Sequence, residues 1–367
     1  MNSATTLTQG CYLNSFQNEF LDFQETRGNS FAVGSATDAL ELTAQLCCFK
    51  SGDEFLIPAH TYTSSCYPFI KHGGKPVWAD IDLETRVITS DTIEKCITSK
   101  TRAIIIVHLY GFVAEMDKIL DLAKSNNLIV IEDCAQAIGS RYKGKRAGTF
   151  GKFGIFSFHS HKNITTLGEG GMLWTNDKRF ADVIPLLRHN GHCQFSFQKK
   201  NYWTPAMSNV DLPEIRGESL LPNNYCLGEA QCALGIELLK RIDSINSLKR
   251  ARAISFIDAL DDFPELKFHR IDDERHNYHL LVAYLESGKR DSFIQIMAEK
   301  YQIQCVVQYY PLNRYDLYRK LGFAKASIPN TNLFFDNMVS FPFQQTLSES
   351  DLSYMLECTR KTLRLIK

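Results

Sequence analysis

The stretch FSFHSHKNITTLGEGGM, residues 156–172, decides the fold and the chemistry that we expect of this chain, because it presents Lys162 between two polar segments. A serine–histidine run precedes the lysine, and a Gly-Glu-Gly-Gly turn follows it. A lysine held away from water among polar partners can form a Schiff base with an aldehyde or a ketone. Most lysines are solvated, so the prediction of a reactive Lys162 depends on its companions in the sequence.

The first companion is NNLIVIEDCAQAIG, residues 126–139, which is typical of a buried strand that delivers Asp133 and Gln136 at its carboxyl end. A carboxylate that faces a pyridinium nitrogen keeps the ring protonated and makes it an electron sink. Lys162 and Asp133 are therefore the pair that pyridoxal phosphate (PLP) requires, and Gln136 is placed to reach the ring hydroxyl. The alternative for Asp133 is a cap on a following helix.

Two further segments fit the same cofactor. In GSATDAL, residues 34–40, small residues open a predicted helix, so that backbone N–H groups near Ser35, Ala36 and Thr37 can receive a phosphate. The alternative is an ordinary helix cap. In PAHTYTSS, Tyr62 follows a predicted strand and can stack on a flat ring, although an aromatic residue at a strand end can equally pack on the core.

The lysine segment supplies two more candidates, since Ser157 can donate to the phosphate and His159 can contact the cofactor or the substrate. A transition-metal site is the competing interpretation, because the sequence crowds several ligand types together. No carboxylate or cysteine pair completes a recognisable ligand spacing, so we predict no metal. No GxGxxG follows the first strand, which argues against a dinucleotide site. The competing metal ligands are His159, His161, His189, His192 and Cys193.

The whole chain bounds the class of protein. Its 367 residues exceed the usual size of a single core, so we expect a large domain over residues 1–240 and a small one over residues 241–367. The formal net charge is zero, so neither nucleic acid nor an anionic membrane is an expected partner. No apolar leader or bilayer-length span is evident, and the eleven cysteines sit mostly in apolar runs. These features favour a reduced cytoplasmic enzyme.

Apolar runs alternate with amphipathic segments, which predicts an α/β fold with a mostly parallel sheet. Residues 224–260 are interpreted as one long helix that bridges the domains, residues 194–222 as a lid or interface loop, and residues 303–310 as a strand. The six strands predicted for the first domain are DEFLIPA, KPVWADI, RAIIIVHLY, NLIVIED, FGIFSFH and GGMLWTN.

The order of these blocks, from GSATDAL through IEDCAQAIGS and FSFHSHKNITTLGEGGML to NNYCLGEAQCALG, resembles the DegT/DnrJ/EryC1/StrS sugar aminotransferases. The resemblance implies a fold-type I PLP enzyme, with a mixed, mostly parallel seven-stranded sheet in the large domain and a smaller α+β C-terminal domain. It implies that Lys162 is the Schiff-base lysine, Asp133 the pyridine-nitrogen partner and Gln136 the contact to the ring oxygen. By the same resemblance Tyr62 stacks on the ring. Together with His159 from the lysine segment, Lys162 and Asp133 are the expected catalytic residues.

The resemblance also implies how the phosphate is held. Ala36, Thr37 and Ser157 match phosphate contacts, and Asn224 matches an asparagine that reaches the phosphate from the neighbouring subunit. A homodimer with shared active sites is the expected assembly.

The chain departs from the family pattern around the substrate, with Cys226, Gln308, Asn313 and an extra Leu167. The combined pattern looks most like the branch that aminates 3-oxo-glucose 6-phosphate. We expect transfer of an amino group from glutamate or glutamine to a keto sugar that carries a phosphate or a nucleotide. The alternatives are a PLP-dependent sugar dehydratase, whose relatives replace the lysine by histidine, and a non-catalytic regulator. The expected substrate-binding residues are Arg188, His189, Tyr309 and Arg314.

Overall fold

A computed structural model describes residues 6–195, 207–286 and 288–366 of the chain. Its α-helices are α1 (Cys11–Phe23), α2 (Ala36–Cys47), α3 (Tyr67–Lys71), α4 (Ser90–Glu94), α5 (Met116–Ser125), α6 (Lys178–Arg188), α7 (Glu229–Leu239), α8 (Ile242–Asp258), α9 (Arg290–Tyr301), α10 (Asp316–Lys320), α11 (Pro329–Asn337) and α12 (Glu349–Leu365). Its strands are β1 (Asn29–Val33), β2 (Glu54–Pro58), β3 (Lys75–Ala79), β4 (Thr101–Val107), β5 (Ile129–Asp133), β6 (Arg141–Tyr142), β7 (Lys145–Arg146), β8 (Phe153–Ser157), β9 (Gly171–Thr175), β10 (His192–Cys193), β11 (Asn209–Val210), β12 (Leu266–Phe268), β13 (Leu281–Leu285) and β14 (Met338–Phe341).

The main sheet has seven strands in the described residues, in the order β1-β9-β8-β5-β4-β2-β3. Only β9 runs antiparallel to its neighbours, and the other pairs from β8 to β3 are parallel. Strands β8 and β9 are buried at every position, as expected of a sheet covered on both faces. The predicted α/β fold with a mixed, mostly parallel seven-stranded sheet is confirmed, and each of the six predicted strands is present.

Helix α1 was not predicted and covers the sheet beneath the lysine segment. Phe16 and Phe20 project from it onto Phe158 and Phe156, with ring centroids 5.3 and 4.9 Å apart respectively. The start of the helix is held from far along the chain, because the Glu229 carboxylate accepts hydrogen bonds from three backbone N–H groups there. This contact joins α1 to the first turn of α7.

A second, smaller sheet pairs β12, β13 and β14 in antiparallel fashion, and α8, α9 and α12 contribute to the core beside it. Helix α8 belongs to both cores, since Ile242 packs in the main core and Ala253 in the second. The smaller α+β unit is thus present, whereas the boundary between residues 240 and 241 stays a prediction.

Two predicted elements are wrong in extent. Residues 224–260 form two helices, because the chain turns at Lys240 and Arg241 and because residues 224–228 are extended. That extended segment makes bridges to Val33 and His189, which compete with helix formation. Residues 303–310 form only an isolated bridge from Val306 to β14. Part of the predicted loop, residues 196–206, lies outside the described residues, and β10 and β11 flank that part.

Within the described ranges, none of the helices combines the length and the apolar character needed to cross a bilayer.

Candidate active site

One cavity of 390 Å³ lies where the carboxyl ends of β5 and β8 meet the amino end of α2. Carboxyl ends of parallel strands share one edge of a sheet, and open α/β sheets bind their ligands at that edge. Ten of the residues predicted for the site line this cavity: Ser35, Ala36, Thr37, Tyr62, Asp133, Gln136, Ser157, His159, Lys162 and Tyr309.

Lys162 lies in a turn after β8, with its backbone N–H bonded to the carbonyl of His159 at 2.9 Å. Burial lowers the pKa of the Lys162 ammonium from its usual value, and the charge of Asp133 partly opposes that shift. A lowered pKa keeps more of the amine neutral, which is the form that attacks a carbonyl carbon. The position and the electrostatics of Lys162 both suit a Schiff-base lysine.

Asp133 ends β5 and is only 4% exposed. Its carboxylate accepts a hydrogen bond from Ser65 Oγ at 2.7 Å and another from the backbone N–H of Ala135 at 3.0 Å. The chain continues through turns to β6 rather than through a helix. The helix-cap alternative therefore fails, and two hydrogen bonds fix the orientation of the Asp133 carboxylate at the cavity.

Gln136, Tyr309 and Tyr62 form the wall beside Asp133. Gln136 Nε2 donates to the Tyr309 hydroxyl at 2.9 Å, and the backbone N–H of Tyr110 donates to Gln136 Oε1 at 2.7 Å. Burial raises the pKa of Tyr309 to about 12, against the opposing hydrogen bond from Gln136. The Tyr62 side chain is 57% exposed and its ring lies 6.1 Å from that of Tyr309, which excludes the core-packing alternative.

The opposite end of the cavity offers hydrogen-bond donors suited to an anion. Ser35 caps α2 by accepting the Asp38 N–H at 3.1 Å, while no hydrogen bond between described residues uses the backbone N–H of Ala36 or Thr37. Ser157 Oγ accepts the His159 N–H at 3.3 Å, which leaves its own proton free to donate. Such a donor set at a helix start fits a phosphate.

Gly171, the first residue of β9, allows α2 to approach this end of the cavity. A Cβ atom at Gly171 would lie 2.4 Å from the carbonyl carbon of Ser35 and 2.6 Å from the nitrogen of Ala36. The hydrogen-bond donors at one end of the cavity fit the phosphate of PLP, and Lys162 and Asp133 at the other end fit its aldehyde and its ring nitrogen.

The two predicted histidine pairs do not form a common metal site. His159 and His161 lie close, with ring centroids 5.0 Å apart, and His159 Nε2 is 3.6 Å from a Glu169 oxygen. His189 and His192 form a separate pair at 5.0 Å, and only the first pair lines the cavity.

The closest group of possible metal ligands in the described residues is a different one, His108, Glu132 and Cys134. The Ala114 N–H donates to His108 Nδ1 at 3.2 Å, and His108 Nε2 is 3.0 Å from Glu132. Glu132 also accepts backbone N–H groups of the loop before β8. Both ring nitrogens of His108 are thus occupied, and the group is a buried structural contact.

Arg188 was predicted to bind substrate, and the structure places it elsewhere. Its side chain is 4% exposed, and its guanidinium donates to Gln17 Oε1 at 2.8 Å and to the Ala32 carbonyl at 2.7 Å. The structure does not support the predicted substrate contact in this chain's own cavity, because Arg188 does not line the cavity and its Nη1 joins α6 to α1 and β1.

Three further predicted residues lie outside the cavity of the single chain. Arg314 Nη2 donates to Asn332 Oδ1 at 2.5 Å, and Arg314 Nη1 is 3.6 Å from Asp336, so its placement does not support the predicted substrate contact. His189 and the exposed Asn224 pair across an isolated bridge at the surface. The predicted contact of Asn224 with a neighbouring subunit stays a prediction.

Sequence reasoning missed several cavity residues, among them Ser65, Glu169, His279 and Leu280. Ser65 is the last residue of the PAHTYTSS block, so the sequence shows a polar residue there but does not indicate that it binds Asp133. His279 stands in RHNYHLL, more than a hundred residues from Lys162, and only the fold brings the two together.

Comparison with known proteins agrees with this geometry. Residues 1–360 match the DegT/DnrJ/EryC1/StrS aminotransferase family. Over 365 residues the chain is 31% identical to the spore coat polysaccharide biosynthesis protein SpsC of Bacillus subtilis, covering 98% of this chain and 91% of SpsC. Over 359 residues it is 31% identical to GDP-perosamine synthase of Escherichia coli O157:H7, covering 97% and 92%.

The fold is similar to a solved structure, the PLP form of the putative sugar aminotransferase Spr1654 from Streptococcus pneumoniae. The TM-score is 0.83 at 25% identity, over 100% of this chain and 94% of the other. The match of nearly the whole length confirms the resemblance seen in the sequence. The chain belongs to the DegT/DnrJ/EryC1/StrS aminotransferase family.

Proposed function

We propose that this chain is a PLP-dependent aminotransferase that moves an amino group from glutamate or glutamine to a keto sugar in amino-sugar biosynthesis. The observation that carries the proposal is the convergence of Lys162, Asp133 and the free N–H groups at the start of α2 on one cavity. GDP-perosamine synthase and a putative sugar aminotransferase are among the similar proteins, which supports a sugar as the amino acceptor.

Each residue has a defined task in this reaction. PLP, when bound, supplies an aldehyde that exchanges amines and a ring that accepts electrons. The N–H groups of Ala36 and Thr37 and the hydroxyl of Ser157 would hold the phosphate, and Asp133 would keep the ring nitrogen protonated. Lys162 would anchor the cofactor covalently, and its amine, whose pKa is lowered by burial, would take the proton from Cα of the amino donor.

The proposal is tested first by absorbance. The PLP-saturated protein should absorb above about 400 nm, glutamate should bleach that band, and Lys162→Ala should not show it. Lys152→Ala is a matched control, because Lys152 directly precedes β8, whereas Lys162 follows it, and because Lys152 pairs with Asp177. A wild-type protein that stays colourless with saturating PLP, or a control that also loses the band, would contradict the proposal.

The same band identifies the acceptor. Protein bleached with glutamate and freed of the excess should regain its absorbance when the correct keto sugar is added. We propose a sugar phosphate similar to 3-oxo-glucose 6-phosphate, with nucleotide-linked keto sugars as the second class. Recovery with the sugar phosphate supports that assignment, and recovery with nucleotide-linked sugars alone refutes it.

We also propose that the enzyme is a homodimer in the cytoplasm. All eleven cysteines lie in the described ranges as free thiols, which suits a reducing compartment. In a dimer with shared sites, Asn224 of one subunit would complete the cavity of the other. Purified hybrid dimers contain one Lys162→Ala subunit and one Asn224→Ala subunit, so that one of their two sites is intact. At a PLP concentration that saturates the wild type but not the Asn224→Ala dimer, they should retain about half of the wild-type absorbance. A hybrid no better than the Asn224→Ala dimer would contradict the shared site.

A further inference from the structure

Three buried polar residues form a chain of hydrogen bonds behind Lys162. Asn163 directly follows the lysine, Asn246 lies on α8, and His279 lies just before β13 and lines the cavity. All three are 6% exposed or less. Because they come from three separate parts of the sequence, their contacts depend on the fold.

The direction of each hydrogen bond in this series is fixed by the carbonyl oxygen of Ile138, at the end away from His279. Asn246 Nδ2 lies 2.9 Å from the carbonyl oxygen of Ile138, which can only accept. Asn246 must therefore turn its Oδ1 towards Asn163, whose Nδ2 donates to it at 2.8 Å. Asn163 Oδ1 then faces His279 Nδ1 at 3.3 Å and can only accept. His279 must carry its proton on Nδ1.

His279 is held neutral in this position. Burial lowers the pKa of its imidazolium well below the usual value, and the nearby cations Lys162 and Lys249, with His161 and His276, lower it further. The Lys249 ammonium is itself buried and donates to the His279 carbonyl at 3.0 Å. A neutral ring protonated on Nδ1 has a lone pair on Nε2, and no hydrogen bond between described residues uses that atom.

We propose that Asn246 and Asn163 hold His279 as a hydrogen-bond acceptor at the cavity wall, where its Nε2 accepts a hydrogen bond from the Lys162 ammonium whenever that amine is not bound to the cofactor. His279, Asn163 and Asn246 are positioning residues that act through Lys162. This inference rests on the proposed aminotransfer, in which Lys162 is released and must return to the same place. An ammonium with a fixed acceptor keeps one orientation between its two proton transfers.

The tautomer is measured directly by nitrogen NMR of the PLP-saturated holoenzyme labelled with ¹⁵N-histidine, with the His279 signals assigned by their loss in His279→Gln. We expect a protonated Nδ1 and an unprotonated Nε2 in the wild type. Asn246→Leu should shift His279 towards the Nε2-protonated form, because Asn163 is then free to rotate. A wild-type His279 that is protonated on Nε2, or on both nitrogens, overturns the proposal.

Two substitutions of His279 separate an acceptor from a purely structural residue. A glutamine amide lies near the position of the histidine Nε2, so His279→Gln keeps a hydrogen-bond acceptor for the Lys162 ammonium. An asparagine amide lies near the position of Nδ1, so His279→Asn keeps the hydrogen bond to Asn163 and loses that acceptor. We expect the single-turnover bleaching of the absorbance by glutamate to stay within about threefold of wild type for Gln and to slow by about tenfold or more for Asn.

The control for this pair is His276→Gln, which changes a histidine that is equally buried and lies outside the cavity lining. Its bleaching rate should match that of the wild type. The reverse order, with Asn faster than Gln, overturns the inference. These outcomes are distinct from failure of the proposed function, in which glutamate does not bleach the wild-type protein at all.

Discussion

Replacement of Glu229 by alanine should release the start of α1 from the rest of the fold. The Glu229 side chain is 1% exposed and accepts the backbone N–H groups of Gly10 at 2.9 Å, Tyr12 at 2.8 Å and Leu13 at 3.2 Å. Each of the three lost hydrogen bonds costs about 1–1.5 kcal/mol, so we expect a loss of about 3–4.5 kcal/mol. The loss should appear locally, since α1 opens without its anchor.

Hydrogen exchange followed by mass spectrometry measures this opening in peptides that cover α1. A loss of about 3 kcal/mol corresponds to exchange about 150 times faster. Glu237→Ala is the matched control, because Glu237 lies on the same helix α7 but is exposed and pairs with Lys240 three residues away. Such an exposed pair contributes little to stability. Equal exchange in the two variants would refute the anchoring role of Glu229.

Two further predictions concern the pH dependence of stability in the absence of cofactor. Burial raises the pKa of Asp38 to about 6, above that of the unfolded chain, so the folded state holds this proton more tightly and loses stability as the pH rises from about 4 to about 6. Asp38→Asn should remove that loss, and a melting temperature that changes with pH as in the wild type would count against it. Burial lowers the pKa of Lys249 to about 7, so its contribution to stability should rise from pH 7 to about 10.4. Lys249→Met should flatten the melting temperature over that range, and an unchanged slope would contradict the assignment.

The core of the site could be predicted from sequence because its parts are short-range signals. Asp133 ends an apolar run and Lys162 follows another, so the sequence predicts Asp133 at the carboxyl end of one strand and Lys162 in the loop after another. Parallel strands then bring both ends to one edge of the sheet. The N–H groups of Ala36 and Thr37 could also be predicted to bind a phosphate, because the sequence indicates the start of a helix there.

The errors concern side chains whose partners lie far away in sequence. Arg188 carries the charge expected of a substrate contact, yet its Nη1 donates to Gln17 and to the Ala32 carbonyl, 171 and 156 residues away. Glu229 looked like an ordinary helix residue, and its partners lie more than two hundred residues away. A charged side chain has the same sequence signature whether it meets a ligand or buried backbone groups. Only the fold distinguishes the two.

Lys162 and Lys249 show that desolvation alone does not mark a reactive amine. Desolvation lowers the pKa of both Lys162 and Lys249. Lys249 Nζ is already committed, since it donates to the carbonyls of His279 and Phe343 at 3.0 and 3.4 Å, and Lys249 does not line the cavity that Lys162 borders. Lys162 borders the cavity, and none of the hydrogen bonds between described residues uses its Nζ. The reactive lysine is thus Lys162, whose amine is desolvated and has no hydrogen bond to another described residue. Lys249 on α8 instead binds the backbone carbonyl of His279, the residue that we propose as the hydrogen-bond acceptor of Lys162.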